Sequence, residues 1–261
     1  MRVAALYRYP VKGFAAEPCE TLTVLEGGRI AGDRVLGFRF ANATAAGDAW
    51  GTKHECIALV NTPGLARLRA QLDRRALRLR IVSADEVLAD EPFTGGGRTR
   101  LAAAVQDYVL RLDENPLTGH ATRLPVRLVG DGVAPRFQDE EGGFVTLHGR
   151  GSLAGVARAA DAGEMSEARF RSNIAVEGLE AWEEQRWPGR RIRIGEVRFE
   201  ALRAKTRCLA THANPRTGER DLPVLQALLR AFPAARPTFA IAMTSGRGGQ
   251  IHVGDRVTIE D

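Results

Sequence analysis

Cysteine is scarce in this 261-residue chain, with only Cys19, Cys56 and Cys208. An odd number at wide spacing, with no Cys-x-x-Cys pair, excludes the usual structural zinc sites and iron–sulfur clusters and implies reduced thiols. Histidine is as sparse: five residues supply neither a metal-spaced pair nor a Ser-His-Asp order. Aromatics make up 6% and do not interleave with the dispersed arginines, which argues against a nucleic-acid surface. Long apolar runs are missing too. The longest, such as Cys56 to Val60 and Phe239 to Met243, fall far short of a bilayer. Met1 to Leu6 soon meets Tyr7, Arg8 and Pro10, so no secretory leader is expected there. The expectation is a cytoplasmic chain without a membrane partner. Apolar residues at 44% and charged residues at 26% leave no tract biased enough to stay disordered. The formal charge of +5 suits nucleic acid, a phosphate-bearing small ligand or an acidic redox partner, and does not choose among them.

The patterning is β-rich. Strand-like runs at Val3 to Tyr9, Thr21 to Leu25 and Val35 to Phe40 are separated by Gly13, Gly27-Gly28 and Gly32, which suggests a small β-barrel or curled sheet. Thr62-Pro63 can open a helix striped by Leu65, Leu68 and Leu72, and Leu77 to Ile81 has strand periodicity. Leu101, Val105, Tyr108, Val109 and Leu112 predict a helix that ends before Asn115-Pro116, where we place a junction between residues 1–120 and 121–261. Beyond it, Val126 to Val129 reads as a strand and Ser152 as the N-cap of a helix. Ile192 to Ala201 reads as a hairpin turning at Gly195-Glu196. A helix through Val224, Leu228 and Phe232 and closing strands complete the pattern.

Cys208 stands in Lys205-Thr206-Arg207-Cys208, where neighbouring cations favour a thiolate able to bind a soft metal or act as a nucleophile. A buried small side chain is the alternative reading of that segment. Arg171 and Asn173, two apart, would share one face of a strand, where the arginine fork suits phosphate; a solvated face is the alternative. Lys12-Gly13 and Gly32-Asp33-Arg34 each combine a cation with a backbone that can approach an anion, although Asp33 could instead pair with Arg34. His148-Gly149-Arg150-Gly151-Ser152 opens a helix whose amides favour anions, or is a plain capped surface helix. Glu183 and Glu184 read as a solvated charge run.

Taken together, Tyr9-Pro10-Val11-Lys12-Gly13, Gly32-Asp33-Arg34, Arg169 to Ile174, Arg207 to Thr211, Asn214 to Gly218 and Ile251 to Val257 resemble MOSC proteins with an N-terminal β-barrel domain, the group of the mitochondrial amidoxime-reducing component and its bacterial relatives. The resemblance implies a mixed, β-rich α+β fold: an N-terminal barrel-like domain fused to a MOSC β-barrel domain with peripheral helices. It implies a molybdenum-pterin cofactor, with Cys208 as metal ligand and catalytic residue. Lys12, Gly13, Arg34, Arg171 and Asn173 would bind the cofactor, joined by Arg150, Ser152 and Arg207. Relatives often have Lys-Ser where this chain has Lys12-Gly13, so one hydroxyl donor is replaced by a backbone amide. The implied activity is reduction of small N-hydroxylated compounds, amidoximes, hydroxylamines or N-hydroxylated bases, with electrons from a separate flavin, haem or iron–sulfur protein. The alternative is a non-catalytic cofactor carrier, or a sulfur carrier with a persulfide on Cys208.

Overall fold

The computed structural model describes residues 1–84 and 86–260. The chain begins with β1 (Arg2–Arg8), β2 (Glu17–Cys19), β3 (Thr21–Val24) and β4 (Gly37–Arg39), then β5 (Leu68–Asp73), β6 (Arg78–Ser83) and β7 (Glu86–Pro92). Helix α1 (Gly95–Leu110) precedes β8 (Arg127–Val129), β9 (Val145–Gly149), α2 (Arg150–Ala159) and β10 (Ile174–Glu177). The hairpin of β11 (Arg191–Ile194) and β12 (Val197–Thr206) follows, then α3 (Val224–Ala231), β13 (Thr238–Thr244), β14 (Gly249–His252) and β15 (Val257–Glu260). Among the described residues no helix is long and apolar enough to cross a membrane.

The fold is mixed and sheet-rich, with the strand order β15-β11-β12-β13-β9-β10-β1-β2 in its largest sheet. The expected barrel closure is not in that order, in which β15 and β2 are the two end strands of the described residues. The sheet does curl. The Val3 amide donates to the Asp255 carbonyl and the Gly254 amide to the Val3 carbonyl, both at 2.9 Å, which brings the start of β1 beside the approach to β15. Pairs β3·β14 and β4·β8 and the meander β5-β6-β7 make up the remaining sheets.

Apolar side chains sort into three cores. One draws on residues between Val11 and Leu128 together with Ala213, and is roofed by the Leu101, Val105 and Val109 stripe of α1. The second combines Val3, Leu6, Leu22, Val24 and Ile30 with strands of the C-terminal half. The third packs α2 against α3 around Phe170 and Phe239. Ladders β1·β10, β3·β14 and β4·β8 cross residue 120, so the first thirty residues divide between the cores: Val11 and Phe14 join the first, while Val3, Leu6, Leu22, Val24 and Ile30 join the second.

Several sequence expectations give way here. Residues 62–72 form a short turn of 3-10 helix at Pro63–Arg67 followed by β5, not one helix. Leu68 and Leu72 also satisfy a period of two, with Ala70 between them, and pairing with β6 decides the outcome. Arg171 and Asn173 precede β10, and Arg171 adopts a left-handed backbone (φ 54°), so they share no strand face. Gly149, not Ser152, caps α2; Ser152 is buried, donating to Glu184 at 2.8 Å and accepting from the Trp182 amide at 2.7 Å. Glu184 is therefore not part of a solvated run. It is fully buried, and burial pushes its carboxyl up against the pull of Ser152.

Candidate functional site

Six segments, the stretch from Lys53 to Val60 among them, converge on one cavity of about 330 Å³. After β1, Tyr9 and Pro10 run beside the Asp33–Leu36 segment: the Arg34 amide donates to the Tyr9 carbonyl at 2.6 Å and the Val35 amide to that of Pro10 at 3.0 Å. The turn Glu167–Phe170 delivers Arg169, Phe170 and Arg171. The end of β12 brings Lys205 and Arg207 to Cys208, and the segment before β9 supplies Gln138, Asp139 and Glu140. Seven lysines and arginines line the cavity against two carboxylates.

Lys12 is buried, and its ammonium donates to Asp139 at 2.6 Å and to the Phe137 carbonyl at 2.9 Å. Asp139 is open to the cavity, 59% exposed. Lys12, Arg34 and Lys53 hold its carboxyl well below the usual carboxylate range. Gly13 has φ +87°, and a Cβ there would meet Leu65 Cδ1 at 2.7 Å, so this backbone does not admit a serine without displacement.

Arg34 pairs with Asp33, whose other oxygen accepts from the Tyr9 amide at 2.8 Å. Its second nitrogen donates to the Arg171 carbonyl at 3.2 Å. Arg171 donates to the Phe14 carbonyl and leaves Nη2 buried without a partner. Burial first, and then the neighbouring Arg34 charge, push the Arg171 guanidinium down to about 10. Arg207 is likewise held at about 10, mainly by burial, while it donates to the Phe170 carbonyl. Lys205 is pushed down by burial and by Arg207 and Arg203, with Glu140 opposing. Desolvated cations crowded together favour an anion, which returns the hydration that each has lost.

Cys208, half-buried, lines the same cavity at the start of a 3-10 turn, its carbonyl accepting from the Thr211 amide at 3.1 Å and hydroxyl at 3.0 Å. Of the residues picked from the sequence, Lys12, Gly13, Arg34, Arg171, Arg207 and Cys208 meet here. Three are engaged elsewhere. Arg150 pairs with Glu167 at 3.1 Å, Ser152 holds Glu184, and the Asn173 amide donates to the Tyr7 carbonyl at 3.2 Å while its oxygen faces Thr146. Glu167 also accepts from Tyr7 at 2.5 Å and contacts His148 at 3.2 Å. Burial opposes its ionisation, yet these partners hold it at about 2, fixing the turn that carries Arg169 to Arg171. Sequence reasoning missed Lys53, Gln138, Asp139 and Glu140. The last two stand in an acidic run that looks solvated, and only their cationic neighbours in space reveal otherwise.

The MOSC domain model matches residues 141–258. Mitochondrial amidoxime reducing component 2 of Macaca fascicularis is 33% identical over 104 residues, which cover 36% of this chain and 30% of that protein. The chain thus spans about 30% of the length of that relative. Molybdenum cofactor sulfurase of Homo sapiens is 40% identical over 60 residues, 23% of this chain and 6% of that protein. Among solved structures, the YUAD protein of Bacillus subtilis aligns over 99% of this chain and 94% of its own, at 14% identity and a TM-score of 0.47. It is residues 141–258 that carry the chain's similarity to the MOSC domain family.

Proposed function

We propose that the cavity holds a molybdenum-pterin cofactor and that the protein reduces small N-hydroxylated compounds with electrons from a separate donor protein of flavin, haem or iron–sulfur type. The observation that carries this reading is the buried, unpartnered Nη2 of Arg171 beside Arg34, in the cavity that Cys208 also lines. Lys12, Arg34, Arg171 and Arg207 would hold the anionic end of the cofactor, and the Gly13 backbone would let it approach closely. Cys208 would be the protein's sulfur ligand to the metal. Among the described residues no group of three or more His, Cys, Asp and Glu side chains could hold a metal ion, so the donor set fits a metal that brings its remaining ligands with it. When bound, the cofactor supplies a two-electron redox centre able to accept oxygen from an N-hydroxyl group.

The chain's own residues do the rest. Asp139 and Glu140 lie at the cavity and offset part of its cationic excess, which leaves space for a neutral substrate to be oriented. Arg150, Ser152 and Asn173 act from behind the wall, through Glu167, Glu184 and the Tyr7 carbonyl. We extend the proposal to a cytoplasmic location and to two fused units, 1–120 and 121–261, joined by the ladders that cross between them.

The test is an assay with an amidoxime and a chemical reductant, following the amidine product chromatographically. Turnover by wild type that is lost in Cys208→Ser is expected. A wild-type protein replete with molybdenum that forms no amidine points to the second reading, a cofactor or sulfur carrier using Cys208. The resemblance of a short segment to molybdenum cofactor sulfurase favours that reading.

A further inference from the structure

Arg34 and Arg171 come from distant parts of the chain, yet both adopt the left-handed backbone, at φ 51° and 54°, a conformation that costs a non-glycine residue free energy. Both also lie over one aromatic ring. The Arg171 guanidinium carbon is 4.2 Å from the Tyr9 ring centroid and that of Arg34 is 4.7 Å. Two like charges gathered in a desolvated site repel, and the depressed Arg171 guanidinium reflects that repulsion as well as burial. Asp33 offsets Arg34, whereas Arg171 has only the Phe14 carbonyl and leaves Nη2 unpartnered. Asp33 and Asp139 favour the Arg171 charge without pairing with it, and the ring is the group its guanidinium lies directly over.

Tyr9 is built to stay put. It is 1% exposed, its amide is held by Asp33 at 2.8 Å, and its hydroxyl donates to the Ser172 carbonyl at 3.2 Å, one residue beyond Arg171. That hydroxyl anchors the ring to the same turn whose arginine the ring supports. Burial pushes the phenol up to about 12 against the pull of the two arginines, so the ring stays neutral and acts through its π face.

We propose that Tyr9 is the positioning residue of the anion site: its ring holds Arg34 and Arg171 side by side before any ligand arrives, so that one anion meets both forks. This rests on reading the cavity as an anion site. It adds that the site is organised by an aromatic platform and not by ion pairing alone.

The experiment is calorimetric titration of inorganic phosphate, at low ionic strength, into the full chain from a host that makes no molybdenum cofactor. The variants are Tyr9→Phe and Tyr9→pentafluorophenylalanine, with thermal unfolding recorded for each. Pentafluorophenylalanine keeps the ring's shape but reverses its quadrupole, so a purely structural role would treat the two variants alike. Phosphate affinity within about twofold of wild type for Tyr9→Phe, and about tenfold weaker for the fluorinated ring, is the expected pattern. Equal binding by both variants overturns the platform, as does a folded wild type that binds no phosphate. Wild type that binds phosphate but takes up no molybdenum in a cofactor-producing host leaves the platform standing and removes the cofactor reading.

Discussion

Arg171→Met weakens phosphate binding by roughly 10- to 100-fold while leaving the cofactor-free protein as stable as wild type or slightly more so. The two halves of that expectation have opposite signs for one reason. In the cofactor-free chain Arg171 is a desolvated cation with a buried nitrogen that has no partner, and Arg34 repels it. Methionine keeps most of the volume and removes the charge, so the fold loses one hydrogen bond to the Phe14 carbonyl and the cation's contact with the Tyr9 ring, and is relieved of an unfavourable charge that offsets both. An anion in the cavity loses a charge-assisted fork worth about 1.5–3 kcal/mol. Phosphate titration together with urea unfolding reads both halves. Unchanged affinity would place the anion away from Arg171, and a large loss of stability would mean that the arginine is structural.

Phe239→Ala costs about 3–5 kcal/mol of folding stability, the range for removing a fully buried phenylalanine. The ring stacks on Phe170 with centroids 3.8 Å apart, lies 5.2 Å from the His148 ring, and meets Trp182 edge-on at 6.4 Å. The vacancy would open at the centre of the core between α2 and α3. It would also open directly beneath the site, because the Phe170 carbonyl accepts from Arg207 and the Phe170 ring lies under that guanidinium at 5.7 Å. Phe239→Ala should therefore weaken anion binding as well as the fold, whereas Phe239→Leu should cost far less on both counts. Chemical denaturation with a cost below about 1 kcal/mol for the alanine variant would contradict this packing.

Much of the fold was legible because apolar spacing admits one reading at most positions. The α1 stripe and the β11–β12 hairpin are such cases. Residues 62–72 admit two readings, since Leu68 and Leu72 suit both periods, and only the partner strand settles which applies. The lining of the cavity was legible where a residue type announced itself: Cys208 among cations, Lys12 before glycine, Arg34 after Gly32-Asp33. Tyr9 was visible only as part of a motif, because a platform is defined by two arginines more than 20 and 160 positions away. Ser152 and Glu184 were misplaced because a buried hydroxyl–carboxyl contact between residues 32 apart leaves no local pattern.

The most direct test of the central claim is the molybdenum content of wild type and Cys208→Ser, purified from a host that makes the cofactor and is fed molybdate. Near-stoichiometric metal in wild type, falling at least tenfold in a serine variant that unfolds at the same temperature, is the predicted result. A folded wild type without molybdenum, or a serine variant that retains it in full, would contradict the assignment of Cys208 as the metal's ligand.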